Sequence, residues 1–181
     1  TLTTSSAKVT FTSTVNSDTG ETNNLTVTAS ETEFNGIVGG TRTLGVMDIN
    51  GTLDLNAAIT AATSIDVSTT SNLGADVTTS STQTYTGNAT ISTDVTLTTT
   101  NSDVTFSGTT DAGSAGDALT IAAGSGDVTF TGAVGGTTAL GNTTITTGAL
   151  SAAAMTVQGT IDVTNTSASS ITGVIADGAS A

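Results

Sequence analysis

Apolar and polar residues alternate along this chain in short bursts. In Val9-Thr10-Phe11-Thr12 the valine and phenylalanine point one way and the threonines the other. The same alternation recurs in Leu25-Thr26-Val27-Thr28, Ile65-Asp66-Val67, Val95-Thr96-Leu97-Thr98, Val104-Thr105-Phe106, Leu119-Thr120-Ile121, Val128-Thr129-Phe130-Thr131 and Met155-Thr156-Val157. Period-two alternation with one apolar face is the pattern of a half-buried strand. The predicted strands are only three to five residues long, and Gly, Asn, Ser and Asp separate them. Asn35-Gly36, Asn50-Gly51 and the pairs Gly39-Gly40 and Gly135-Gly136 are predicted turns.

The pattern repeats at long range. Phe34-Asn35-Gly36-Ile37-Val38-Gly39-Gly40 and Leu44-Gly45 return 96 residues later as Phe130-Thr131-Gly132-Ala133-Val134-Gly135-Gly136 and Leu140-Gly141. Ile65-Asp66-Val67 returns as Ile161-Asp162-Val163, and Val9-Thr10-Phe11 as Val104-Thr105-Phe106. Such internal self-similarity points to a repeat architecture, with residues 1–95 as a first unit and 96–181 as a second, incomplete one, continuous with it. Thr1 falls at the phase of Thr96, inside a strand-like run, so the chain is expected to be a segment of a longer protein.

Strands this short fit the coils of a right-handed parallel β-helix better than the longer strands of a sandwich. About nine coils are expected, stacked at roughly 4.8 Å into a rod on the order of 43 Å long. Tandem β-sandwich repeats are the alternative. Phe11, Phe34, Phe106 and Phe130 recur within the repeat and are expected in the core.

Composition sharpens this picture. Of 181 residues 46 are Thr, none is Pro, and Lys8 and Arg42 are the only basic residues against a net charge of −13. Thr and Val suit strands, and an absence of Pro suits a fully paired ladder. Two basic residues cannot neutralise a phosphate track, which argues against nucleic acid as a partner. No apolar run approaches the roughly 20 residues of a membrane helix, so no membrane insertion is expected. The absence of Cys is compatible with export across an outer membrane in an unfolded state.

Several strings carry a family resemblance. Gln83-Thr84-Tyr85-Thr86-Gly87-Asn88, Val104-Thr105-Phe106 and the run from Val128 to Leu140 resemble the β-strand repeats of giant bacterial surface exoproteins, of the filamentous-haemagglutinin-like and autotransporter-passenger kinds. Ile171-Thr172-Gly173-Val174-Ile175-Ala176-Asp177-Gly178 is similar to a strand that recurs in autotransporter passengers. The resemblance implies a parallel β-helix, an extracellular or cell-surface location, and a role in adhesion, surface display or filament formation. Implied partners are neighbouring repeats or copies end to end, and ligands on host or neighbouring cells.

Candidate chemistry is sparse. With no His and no Cys, a triad or an acid–base pair at neutral pH has no base, and no enzyme activity is expected. A polysaccharide-active β-helix would need a basic residue beside carboxylates, and only Lys8 and Arg42 are available, with Glu31 and Glu33 the nearest acids by pattern. No residue is therefore assigned a catalytic, cofactor-binding or metal-ligating role. Calcium is the one inorganic partner considered, at the corresponding loops Asn16–Glu21 and Asp111–Asp117, although no cofactor is required. Thr-x-Thr triplets at Thr26/Thr28, Thr82/Thr84, Thr129/Thr131 and Thr144/Thr146 raise an ice-binding alternative, because regular arrays of this kind on a flat β-helix face bind ice. Their spacing along the chain is irregular. Five Asn-x-Ser/Thr strings, at Asn24, Asn50, Asn88, Asn142 and Asn165, are uninformative in so Thr-rich a chain.

Overall fold

The computed structural model describes residues 1–4 and 6–178. Ser5 and the last three residues of the expected second repeat lie outside the described residues. The chain is an all-β, right-handed parallel β-helix of about eight turns. Every strand pairing among the described residues is parallel, which rules out the tandem sandwiches, because a sandwich is built from antiparallel hairpins.

Each turn contributes to three faces. Face A stacks Leu2, Val27, Ile49, Val67, Tyr85, Phe106, Phe130, Ala152 and Ile171. Face B stacks Val9, Thr32, Leu53, Ser71, Ala89, Thr110, Val134, Met155 and Ile175. Face C stacks Val15, Val38, Ile59, Val77, Leu97, Ile121, Ile145 and Val163. Eight steps of about 4.8 Å make the ladder about 38 Å tall. The step along the chain varies from 18 residues (Val67 to Tyr85) to 25 (Leu2 to Val27), the difference being taken up in the corners.

These columns are the core. Val, Ile and Leu alternate with Thr because one side of each strand faces the lumen and the other faces water. Side-chain bulk is shared between faces. In the lower turns Phe11 and Phe34 stack from face B, with ring centroids 4.8 Å apart. In the upper turns Tyr85, Phe106 and Phe130 stack from face A at 4.9 and 5.1 Å, and the small Ala89, Thr110 and Ala112 line face B there. A lumen of fixed width packed to crystal-like density requires this exchange. The polar Gln83 is also fully buried. Its Nε2 donates to the carbonyls of Val77 and Thr98, and its Oε1 accepts from the Tyr85 hydroxyl at 3.2 Å.

Three strands are longer than the sequence predicts. Leu25–Phe34, Leu44–Leu55 and Ile59–Val67 each run through a corner and serve two faces. Asn50-Gly51 is accordingly not a turn: the strand continues through it and bends at Gly51, where φ is 153° and an added methyl would overlap the Ala29 carbonyl. The other predicted turns stand. Gly39 and Gly135 occupy matching loops with φ of 73° and 66°, and each passes directly over a backbone carbonyl of the next turn.

The long-range repeat turns out not to be a whole number of turns. Phe11 and Phe34 lie on face B, whereas their counterparts Phe106 and Phe130 lie on face A. Leu2 lies on face A and Leu97 on face C, and Ile65 on face A and Ile161 on face C. In each case the repeat advances four turns and two faces. The counterparts are all core residues, but the second copy of each motif is built on a different side of the rod.

Candidate functional site

Three kinds of polar surface cover the rod. The first is a set of corner caps. Strands leave the backbone N–H groups at corners without ladder partners, and Asp or Asn side chains from the neighbouring turn accept from them. Asp76 Oδ1 accepts from the Thr96 N–H, Asp94 from Ala118, Asp103 from Asp127 and Asp127 from Ala149, all at 2.8 to 2.9 Å. Asn24, Asn88, Asn101 and Asn142 do the same for Val46, Thr109, Ser125 and Thr160. Three of the Asn-x-Thr strings therefore carry asparagines already used as caps.

The two Asp-rich loops considered for calcium belong to this set. Asn16 Oδ1 accepts from the N–H groups of Thr41 and Arg42, and its counterpart Asp111 accepts from Thr137 and Thr138. Asp117 Oδ2 caps Ser114 at 2.7 Å and Asp18 Oδ1 caps Thr19 at 2.6 Å. Backbone capping accounts for this spacing of acids. Among the described residues no group of three His, Cys, Asp or Glu side chains is placed to hold a metal.

The second surface is acidic and covers the lower turns. On face B, Glu31 and Glu33 sit beside Lys8 of the previous turn, with Nζ at 2.8 and 3.0 Å. Thr10 donates to Glu33, and Asn72 and Asn56 bridge onward to Asp54. Hydrogen bonds from Lys8 first and Thr10 second hold the Glu33 carboxyl below the usual glutamate range. The same two glutamates push the Lys8 ammonium well above the ordinary lysine value. On face A, Asp48 lies directly opposite Asp66, an unfavourable like-charge pair. Arg42 is exposed and remote from Glu31 and Glu33, so the basic residue that meets these acids is Lys8.

The third surface is uncharged. In the upper turns of face A the outward positions are Thr84, Thr105, Thr129, Ser151 and Ser170 in one column. Just past the end of each strand, Thr86, Ser107 and Thr131 form a second column, held by bonds from their own N–H groups to the carbonyls of Val67, Tyr85 and Phe106. Face C offers a less complete version. Thr96, Thr120 and Thr144 end at Asp162, and Ala122 interrupts the column Thr78, Thr98, Thr146 and Thr164. Of the triplets read from the sequence, Thr129/Thr131 lies on face A and Thr144/Thr146 on face C. Thr26/Thr28 lies low on face A, beneath Asp48 and Asn50. The full array brings in Thr86, which continues the Thr82/Thr84 triplet, and Thr105 and Ser107, which a Thr-x-Thr search misses because the second position is a serine.

At the C-terminal end the lumen opens in a hollow of about 570 Å³ lined by Val157, Ile161, Val163, Ile171 and Ile175, and also by Asp177. The strands Ile161–Asn165, Ser170–Ile171 and Ile175–Asp177 each pair on one side only among the described residues. No helix among the described residues is long and apolar enough to cross a membrane. Comparison with protein-family models, with curated proteins and with solved structures finds no match to this chain.

Proposed function

We propose that this chain is a structural, non-catalytic stretch of an exported bacterial surface or extracellular fibre protein, serving adhesion, surface display or filament formation. The observation that carries the reading is the unbroken ladder. One set of columns runs from Leu2 to Ile171, and Asp76, Asp94, Asp103, Asp111 and Asp127 beside it cap corners while Glu31 and Glu33 pair with Lys8. Stiffness is what such a ladder supplies, because each turn is held by its neighbours and stability adds along the axis. The exposed Ile175 and Val174 beside this largely aliphatic hollow, which Asp177 also lines, favour contact with another copy or another repeat, since open strand edges recruit strands.

Electron microscopy of the native material, with and without a calcium chelator, tests the reading, together with antibody labelling of intact cells. Filaments or surface-rooted stalks are expected. Filaments that dissolve on chelation locate calcium at their joints. An Ile175→Asp chain, charged in the open hollow, is expected to stay folded and to lose end-to-end growth. A chain confined to the cytoplasm and present only as isolated rods overturns the proposal, as does polysaccharide turnover lost on replacing Lys8 or Arg42.

A further inference from the structure

The uncharged array on face A has properties that the rod function does not use. At its centre three successive turns present hydroxyls in pairs: Thr84 and Thr86, Thr105 and Ser107, Thr129 and Thr131. None of these six hydroxyls is hydrogen-bonded within the protein, in contrast to the interlinked polar ladder on face B. Behind them lies the Tyr85–Phe106–Phe130 stack, with rings tilted by only 16° and 7° and spaced at 4.9 and 5.1 Å. This backing sets one stacked ring behind each of the three turns, so the turns are evenly spaced. The two residues of each pair lie two positions apart along the chain, about 6.6 Å of extended backbone. The β-branched threonines add stiffness through a restricted χ1. The result is a rigid two-dimensional grid whose every node both donates and accepts.

Its occupant must be flat, uncharged and periodic in two directions, and must offer a donor and an acceptor at each node. A polysaccharide sheet would stack its sugar rings on aromatic faces, but here all three rings point into the lumen and are buried. A protein partner would need the aromatic or arginine anchors of an interface, and none stands among the six outward residues. A crystal face of water meets all the requirements, with threonine methyls to order the water between nodes. We propose that the Thr84–Thr131 grid on face A binds ice. This rests on a different surface from the end-to-end contacts and stands independently of them.

Ice-affinity partitioning of the chain, with ice-recrystallisation inhibition as a second readout, tests it. The wild-type chain is expected to enter growing ice. Thr105→Lys, a charge at the centre of the grid, is expected to fall to the level of a protein that ice excludes, with circular dichroism and melting unchanged. Thr90→Lys on face B is expected to partition like wild type. Exclusion of the wild-type chain from ice overturns the proposal, as does full ice binding by Thr105→Lys. Binding to insoluble cellulose or chitin without ice binding assigns the grid to a sugar surface instead and also overturns it. So does a dimer that Thr105→Lys dissociates when the wild type shows no ice affinity.

Discussion

Phe106 gives the sharpest test of how this core is held. Its ring is fully buried between Tyr85 and Phe130, with a stacking contact on each side. Phe106→Leu keeps most of the apolar volume and removes both contacts. At about 0.5–1.5 kcal/mol per aromatic pair beyond area burial, the expected loss is about 1–3 kcal/mol. Phe106→Ala adds a cavity that flanking turns cannot fill, and the loss rises to about 3–5 kcal/mol. Phe11→Leu is the internal control: Phe11 is half-buried and has a single stacked partner, Phe34, so the expected loss is about 0.5–1.5 kcal/mol. Because turns open locally, urea titration alone averages the effect, and amide hydrogen exchange resolved by residue is the better assay. For Phe106→Leu, exchange at the flanking strands Gln83–Tyr85 and Val128–Phe130 is expected to quicken roughly 5- to 150-fold. Equal costs for Phe11→Leu and Phe106→Leu would refute the argument that stacked pairs, counted one by one, set stability here.

Other consequences are equally direct. Gly39 and Gly20 share nearly the same backbone angle, φ 73° and 78°, but only Gly39 faces a carbonyl at close range. Gly20→Ala is expected to cost about 1 kcal/mol and Gly39→Ala more than about 2, read as melting temperature; similar shifts for both would refute the close-approach argument. Gln83→Leu strands the Tyr85 hydroxyl and two carbonyls, with an expected loss of about 1–3 kcal/mol by urea unfolding, part of which the additional change Tyr85→Phe recovers. Glu33 has a depressed pKa, so its contribution is present above the ordinary glutamate value and is lost as pH falls through its own lower one. Lys8 has a raised one, so its contribution is present below the ordinary lysine value and is lost as pH rises through the raised one. A Glu33 titration followed by NMR is expected to move back up toward the free-glutamate midpoint in Lys8→Met, and an unmoved midpoint would sink the pairing.

The sequence reading reached the fold because strand alternation is local. Val104-Thr105-Phe106 declares its inward and outward residues without reference to any other strand, and Phe106 and Phe130 are core for the reason given. What the sequence does not declare is which strand lies above which. That is set by corner lengths, and turns vary from 18 to 25 residues. Lys8 meets Glu31 across 23 residues and Asp111 meets Thr137 across 26, so neither the ion pair nor the caps follow from spacing. The loops considered for calcium are acidic because corners need acceptors, which only the stacked turns make visible. The triplets look irregular along the chain, but Thr129 sits above Thr105 because a 24-residue turn separates them, after one of 21 residues above Thr84. Leu25–Phe34 bends at residues 28–31 and Ile59–Val67 at residues 59–62 with no Gly or Asn to mark either bend, whereas Asn50-Gly51 has a turn's composition but bends Leu44–Leu55 without ending it.

The four-turns-and-two-faces offset has the logic of a reading frame. Strands are read in threes, one per face, and the recurring motif advances the count by fourteen, which is out of frame. Parallel stacking tolerates this because any alternating strand can lie on any other. Duplication of genetic material in such a rod therefore need not respect the turn, and a third copy of a motif would reach the one face the first two leave vacant. Conversely, deletion of a single strand with its corner would preserve the ladder and rotate everything beyond it by a third of a revolution. The chain can lose or gain a strand and remain a rod, while the surface it shows on each side is redrawn.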